Sequence, residues 1–184
     1  RSTLFPYTTL FRSPFIVKRE VKKVAVVVFA SNTSLCGGFN ANVIRHLVDL
    51  LAEYKPLGLE NILVFPVGKK VADAVRKLGF RIEGDFQHMA DKPSYQEAAD
   101  LAADLMKRFL HGDVDKVELL YNHFKSTASQ ILTRETYLPI DLNNEKKEEE
   151  RTIDYILEPS AEELMQEMLP KVLRMKMFTV LLEI

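Results

Sequence analysis

Val24-Ala25-Val26-Val27-Val28-Phe29-Ala30-Ser31-Asn32-Thr33-Ser34-Leu35-Cys36-Gly37-Gly38-Phe39-Asn40 runs from a β-branched block into a polar turn with two glycines. The block has the unbroken apolar character of a strand buried on both faces, and the turn leads into an amphipathic helical pattern. An open α/β sheet begins this way, and in such sheets ligands bind at the carboxyl ends of the strands. The turn lacks the chemistry of the known phosphate loops. Gly37 and Gly38 are adjacent, which is not a G-x-G-x-x-G spacing, and Gly68-Lys69 has no glycine five residues earlier and is followed by Lys70.

Working outward, Asn40 or Asn42 is placed to cap a first helix whose apolar positions are Val43, Ile44, Leu47, Leu50, Leu51 and Tyr54. Pro56 and Gly58 end it, and residues 61–67 read as a second buried strand, with Pro66 placed where no ladder donor is needed. Residues 69–78 read as a short helix with Val71, Ala72, Val75 and Leu78 inward and Gly79 as its left-handed stop. Residues 80–82 read as a candidate for a short third strand. The capping box Ser94 to Glu97 opens a helix that keeps its apolar face through Leu110 and stops at Gly112.

Residues 117–121 and 129–137 read as strands. With no glycine or proline between them, the expectation is one long bent strand, or two joined by a bulge, and not a tight hairpin. Residues 143–151 are a charge run expected to be a solvated loop, and 153–157 alternate like a last strand. A capping box at Ser160 to Glu163 opens a final helix that is apolar on nearly every face, with Pro170 expected to kink or break it.

The chain has 184 residues, about one domain, with 47% hydrophobic content and a formal net charge of -1. The near balance of 25 basic and 26 acidic residues gives no reason to expect nucleic acid as a partner. The single Cys36 cannot form an internal disulfide, and no apolar run approaches the roughly 20 residues that span a bilayer. Residues 1–13 lack the basic start, apolar stretch and small-residue cleavage site of a signal peptide; they look like translated sequencing-adapter DNA and are set apart from the fold.

Four stretches carry a resemblance: residues 31–40 after the Val-rich strand, Val67-Gly68-Lys69-Lys70, the run from Tyr121 to Thr127, and Glu158-Pro159-Ser160-Ala161-Glu162-Glu163-Leu164. In this order and spacing they resemble the gamma subunits of F-type ATP synthases, the central rotor shaft, from Pro14 to the end of the chain. The resemblance implies a Rossmann-like globular domain over residues 14–159 with helices on both faces of the sheet. It also implies that residues 160–184 are the start of a C-terminal coiled-coil helix, with most of both coiled-coil helices missing from this sequence. The implied function is mechanical coupling of proton flow to ATP synthesis, without catalysis or cofactor. The implied partners are the alpha and beta subunits, the epsilon subunit and the membrane rotor ring. The implied location is peripheral, on the cytoplasmic side of a bacterial inner membrane.

The family signature turn is Ser34, Leu35, Cys36, Gly37, Gly38, Phe39 and Asn40. Gly37 and Gly38 are read as positions wanting positive φ or a close backbone approach. Cys36 has no neighbouring His in sequence to make it a nucleophile. His46, His88, His111 and His123 lack metal-ligand spacing. Asp85, Asp91, Asp113 and Asp115 read as solvated loop carboxylates, and Lys69 and Lys70 as a basic first helical turn. The competing reading is a small doubly wound nucleotide- or phosphate-binding enzyme, against which the missing glycine fingerprint counts. A third is an interaction domain whose last helix exposes apolar surface.

Overall fold

The computed structural model describes residues 13–32, 37–126, 129–141 and 161–184. Among the described residues the strands and α-helices are, in order, β1 Val24–Phe29, α1 Gly37–Tyr54, β2 Ile62–Val67, α2 Lys69–Lys77, β3 Arg81–Ile82, α3 Tyr95–Leu110, β4 Lys116–Ser126, β5 Ser129–Leu138 and α4 Ala161–Leu181. They build one five-stranded sheet in the order β3-β2-β1-β4-β5, parallel except for β5. The structure is the open α/β fold expected, with helices on both faces.

Every residue of β1 is buried because the strand has a parallel neighbour on each side and helices above and below. Ala25, Val27 and Phe29 enter a core shared with α3 and α4, while Val24, Val26 and Val28 enter a second core shared with α1 and α2. Right-handed crossovers explain this division. The steps from β1 to β2 to β3 move one way and keep α1 and α2 on one face; the return to β4 moves the other way and puts α3 opposite.

Pro66 sits where its sequence suggested. Ala30 N donates to Val67 O, so Val67 faces β1, and Pro66, one residue earlier, faces the side of β2 on which β3 pairs only with Leu63 and Val64. Gly79, at φ 84°, and Gly112, at φ 78°, follow α2 and α3 as left-handed stops.

Four expectations change. β4 and β5 form a close antiparallel hairpin, with Ser126 paired to Ser129 and irregularities at Val117/Glu118 and Phe124/Ser126. Doubling back returns Tyr137 and Leu138 to the core beside Val117, which a single continuing strand would carry away from it. Asn40 and Asn42 both lie inside α1 and so do not cap it. Leu78, expected inward, is 40% exposed because α2 ends at Lys77. Helix α4 continues through Pro170 unbroken. One side of it is buried, at Leu169, Leu173, Met177, Val180 and Leu181, while Met175 and Leu182 stay exposed. The charge run at 143–151, the strand at 153–157 and the start of the last capping box lie outside the described residues.

Candidate functional site

Sheets of this type offer a crevice where the strand order reverses, here at the carboxyl ends of β1 and β4. Two asparagines of the chain bond to its own backbone there. Asn40 is buried in the first turns of α1, where its Oδ1 accepts from Ser31 N at 3.1 Å and its Nδ2 donates to Ser31 O at 2.8 Å. From β4, Asn122 Nδ2 donates to Phe39 O. Ser34, Leu35 and Cys36 lie outside the described residues. Gly38 has neither positive φ nor a close neighbour, so the expectation for it fails.

The need for glycine appears instead at Gly68, the position before α2. Its φ is 126°, and a Cβ there would meet Ala30 O at 2.3 Å. The first helical N–H beyond it, on Lys69, donates to Asn32 Oδ1 at 2.7 Å. Asn32 Nδ2 reaches Gln87 O and Asp91 Oδ2 at 2.9 and 3.0 Å. An asparagine thus takes the place at a helix start that a phosphate would need, while the Lys69 and Lys70 side chains point to solvent.

Two polar clusters went unnoticed in the sequence. In the first, Glu118 of β4 is 2% exposed and lies against the α1 side of the sheet. Arg134 of β5 donates to it from Nε and Nη2 at 2.7 and 3.0 Å, and Tyr54 Oη donates to it from α1. Arg134 also bridges to Glu53 at 2.7 Å. Burial pushes the Glu118 carboxyl up, but the hydrogen bonds from Arg134 and Tyr54 and the guanidinium charge outweigh it and leave the group below its usual range. Tyr54 moves far up, through burial and then through the Glu118 carboxylate. An acid inside the apolar run Val117–Tyr121 was the one available signal.

In the second, Arg19 lies 4.1 Å over the Phe109 ring, pairs with Asp115 at 2.9 Å and donates to the carbonyls of Phe109 and Val114. Asp115 also accepts from the amides of Lys22 and Lys23 at 2.9 and 3.1 Å. Burial raises its carboxyl, but these donors and Arg19 bring it below the ordinary value. Asp115 is therefore a structural clasp between the lead-in to β1 and the end of α3, where a solvated carboxylate was expected.

On the face of the sheet that carries α3, the second half of α4 is tied to the hairpin. Tyr137 donates to Leu173 O, Lys176 pairs with Glu135 at 2.9 Å, and His123 lies 3.1 Å from Glu183. His88 pairs with Glu97, His46 Nδ1 contacts Asn42 O, and His111 is the C-cap of α3. Asp85 accepts from Gln87 N. Among the described residues no three His, Cys, Asp or Glu side chains converge as a metal site, and no helix is long and apolar enough to cross a membrane.

Comparison with known proteins agrees with this shape. The family described as ATP synthase matches residues 4–184. The ATP synthase gamma chain of Phocaeicola vulgatus is 76% identical over 173 residues, covering 93% of this chain and 60% of the relative. That of Bacteroides thetaiotaomicron is 54% identical, covering 91% and 60%. The chain thus spans about 60% of the length of these relatives. Among solved structures, the central stalk of the Tetrahymena thermophila mitochondrial ATP synthase superposes with a TM-score of 0.60 at 20% identity, over 91% of this chain and 71% of that one. The rotor of the Euglena gracilis enzyme gives 0.54 at 19%, over 96% and 69%. The two structural likenesses carry the fold, the sequence relatives carry the kinship, and the chain belongs to the family of ATP synthase gamma chains.

Proposed function

We propose that this chain is the central-stalk rotor subunit of a proton-translocating F-type ATP synthase, coupling proton flow to ATP synthesis by rotation inside the catalytic hexamer. The observation that carries this reading is the 76% identity to an ATP synthase gamma chain along 93% of the chain. The subunit contributes no chemistry of its own. It acts by stabilising different conformations of neighbouring catalytic sites in turn, which requires a stiff body with distinct sides. The doubly packed sheet, the Arg134 node and the Arg19 clasp supply such stiffness.

Its partners in this reading are the alpha and beta subunits, the epsilon subunit and the membrane rotor ring. It is held peripherally on the cytoplasmic side of the bacterial inner membrane by those partners. The signature turn, residues 34–40, is read as shaping the globular foot, with Asn40 as its anchor.

The test is a chimera in which residues 14–184 replace the matching segment of the Phocaeicola vulgatus gamma chain. In a strain lacking its own gamma chain, membrane vesicles carrying the chimera are expected to show ATP-driven proton pumping. A folded chimera that is absent from the purified synthase, or present without pumping, would overturn the reading.

A further inference from the structure

His46, Asp49, Leu50 and Glu53 follow one another at helical steps along a single face of α1, and that face looks across a cleft of about 250 Å³ at the hairpin. Leu120 of β4 and Leu132 and Arg134 of β5 form the opposite wall. Leu50 and Leu120 are buried and Leu132 is partly so, giving the cleft an apolar floor under a charged rim. Its volume lies below the roughly 300–1,000 Å³ of small-molecule sites, which suits one long side chain better than a nucleotide.

The rim selects the sign of the occupant. Arg134 is already held by Glu118 and Glu53, so it offers an incoming anion little unneutralised charge. Asp49 has no partner among the described residues. Lys116 acts on both Glu53 and Glu118, so three carboxylates face two cations around the cleft. A cation with an aliphatic stem satisfies both the floor and the rim.

We propose that the cleft receives an arginine or lysine side chain of a partner protein, its stem on Leu50, Leu120 and Leu132 and its head between Asp49 and Glu53. A free amine is the weaker occupant, because exposed carboxylates attract a lone cation little in water. A protein brings additional surface beyond the cleft, and among the described residues β5 beside it is the last strand of the sheet. The inference rests on reading the chain as one subunit of an assembly.

The experiment uses the full-length chimeric gamma chain in cells, with a photo-crosslinking residue in place of His46 and a purification tag. The expected product is a cross-link to a partner segment that carries a lysine or arginine within a few residues. Its yield should drop at least tenfold with Asp49→Lys and be kept with Asp49→Glu, both changes lying on an exposed helix position that leaves folding intact by circular dichroism. Yield unchanged in Asp49→Lys, cross-links confined to segments without a basic residue, or no protein cross-link at all would overturn the proposal. Co-purification of the tagged chain with synthase subunits is scored separately. An Asp49-dependent cross-link to a basic segment of a protein outside the synthase would uphold the cleft while overturning the rotor reading.

Discussion

Asn40 grips both backbone groups of Ser31, accepting from its N–H at 3.1 Å and donating to its carbonyl at 2.8 Å. One carboxamide thus continues the hydrogen bonding of β1 past the end of the strand and fastens the first turns of α1 over the sheet. A side chain with one donor and one acceptor at this spacing is needed, and asparagine supplies both.

Replacing Asn40 should therefore cost more than an ordinary polar substitution. Asn40→Ala removes both bonds at a buried position, and the expected loss is about 2–3 kcal/mol. Asn40→Asp keeps the acceptor for Ser31 N but faces Ser31 O with a carboxylate, and should lose at least as much at pH 7. Urea unfolding at pH 7 checks both; a loss below about 0.5 kcal/mol for either would show that the grip contributes little.

Gly68→Ala should be among the most damaging single-methyl additions. At φ 126° an L side chain is strained, and its Cβ would meet the Ala30 carbonyl at 2.3 Å. Either β1 or the start of α2 must shift, breaking the Asn32 bond to Lys69 N. The expected cost is roughly 3 kcal/mol or more. Gly38→Ala is the control: with open space around it and helical backbone, it should be neutral or slightly stabilising. Equal effects of the two changes in thermal unfolding would refute the distinction.

That contrast shows what the sequence carried. The adjacent pair Gly37-Gly38 drew attention, yet a glycine that the backbone requires is Gly68, whose constraint comes from Ala30, 38 residues away. Strand and helix order were legible because burial on both faces leaves β-branched runs such as Val24–Val28, and single-sided burial leaves the helical period of α3. The hairpin was not legible, because its reversal is made without glycine or proline and its register is set by the return of Tyr137 and Leu138 to the core. Arg19 and Asp115 are 96 residues apart and Arg134 and Glu118 are 16 apart; no local period marks such pairs.

The Arg19 clasp should hold the lead-in segment in place. Arg19→Ala removes an ion pair, two carbonyl contacts and the stacking on Phe109, for an expected loss of about 1–3 kcal/mol. The amides of Lys22 and Lys23, which bond to Asp115, should exchange faster with deuterium than in the parent, while amides of β1 stay protected. Arg19→Lys should restore part of the stability, lacking the flat fork that serves Asp115 and the carbonyls together. Unchanged exchange at Lys22 and Lys23 in Arg19→Ala would remove the clasp from the account.

Arg134 and Glu118 give a test in which pH reverses the balance. In the folded parent the Glu118 carboxyl lies below its ordinary value of 4.5, so its contribution to stability is full well above that pH and is lost as pH falls through 4.5 towards the folded value. Arg134→Met leaves Glu118 2% exposed without its principal donor, and burial then raises the carboxyl instead. The ionised form becomes costly, and stability is lost as pH rises through the ordinary value. Breaking a buried pair costs about 3–5 kcal/mol, but Arg134 is 36% exposed and screened by water, and Tyr54 and Lys116 remain, so the expected loss at pH 7 is about 2–3 kcal/mol. Near pH 3.5 the gap between parent and variant should shrink to within about 1 kcal/mol, because a protonated Glu118 no longer needs the arginine. Arg134→Met combined with Glu118→Gln should recover much of the pH 7 loss and show a flatter pH profile. A gap that stays constant from pH 7 to 3.5 would mean that Arg134 stabilises the hairpin through packing and not through the charge of Glu118.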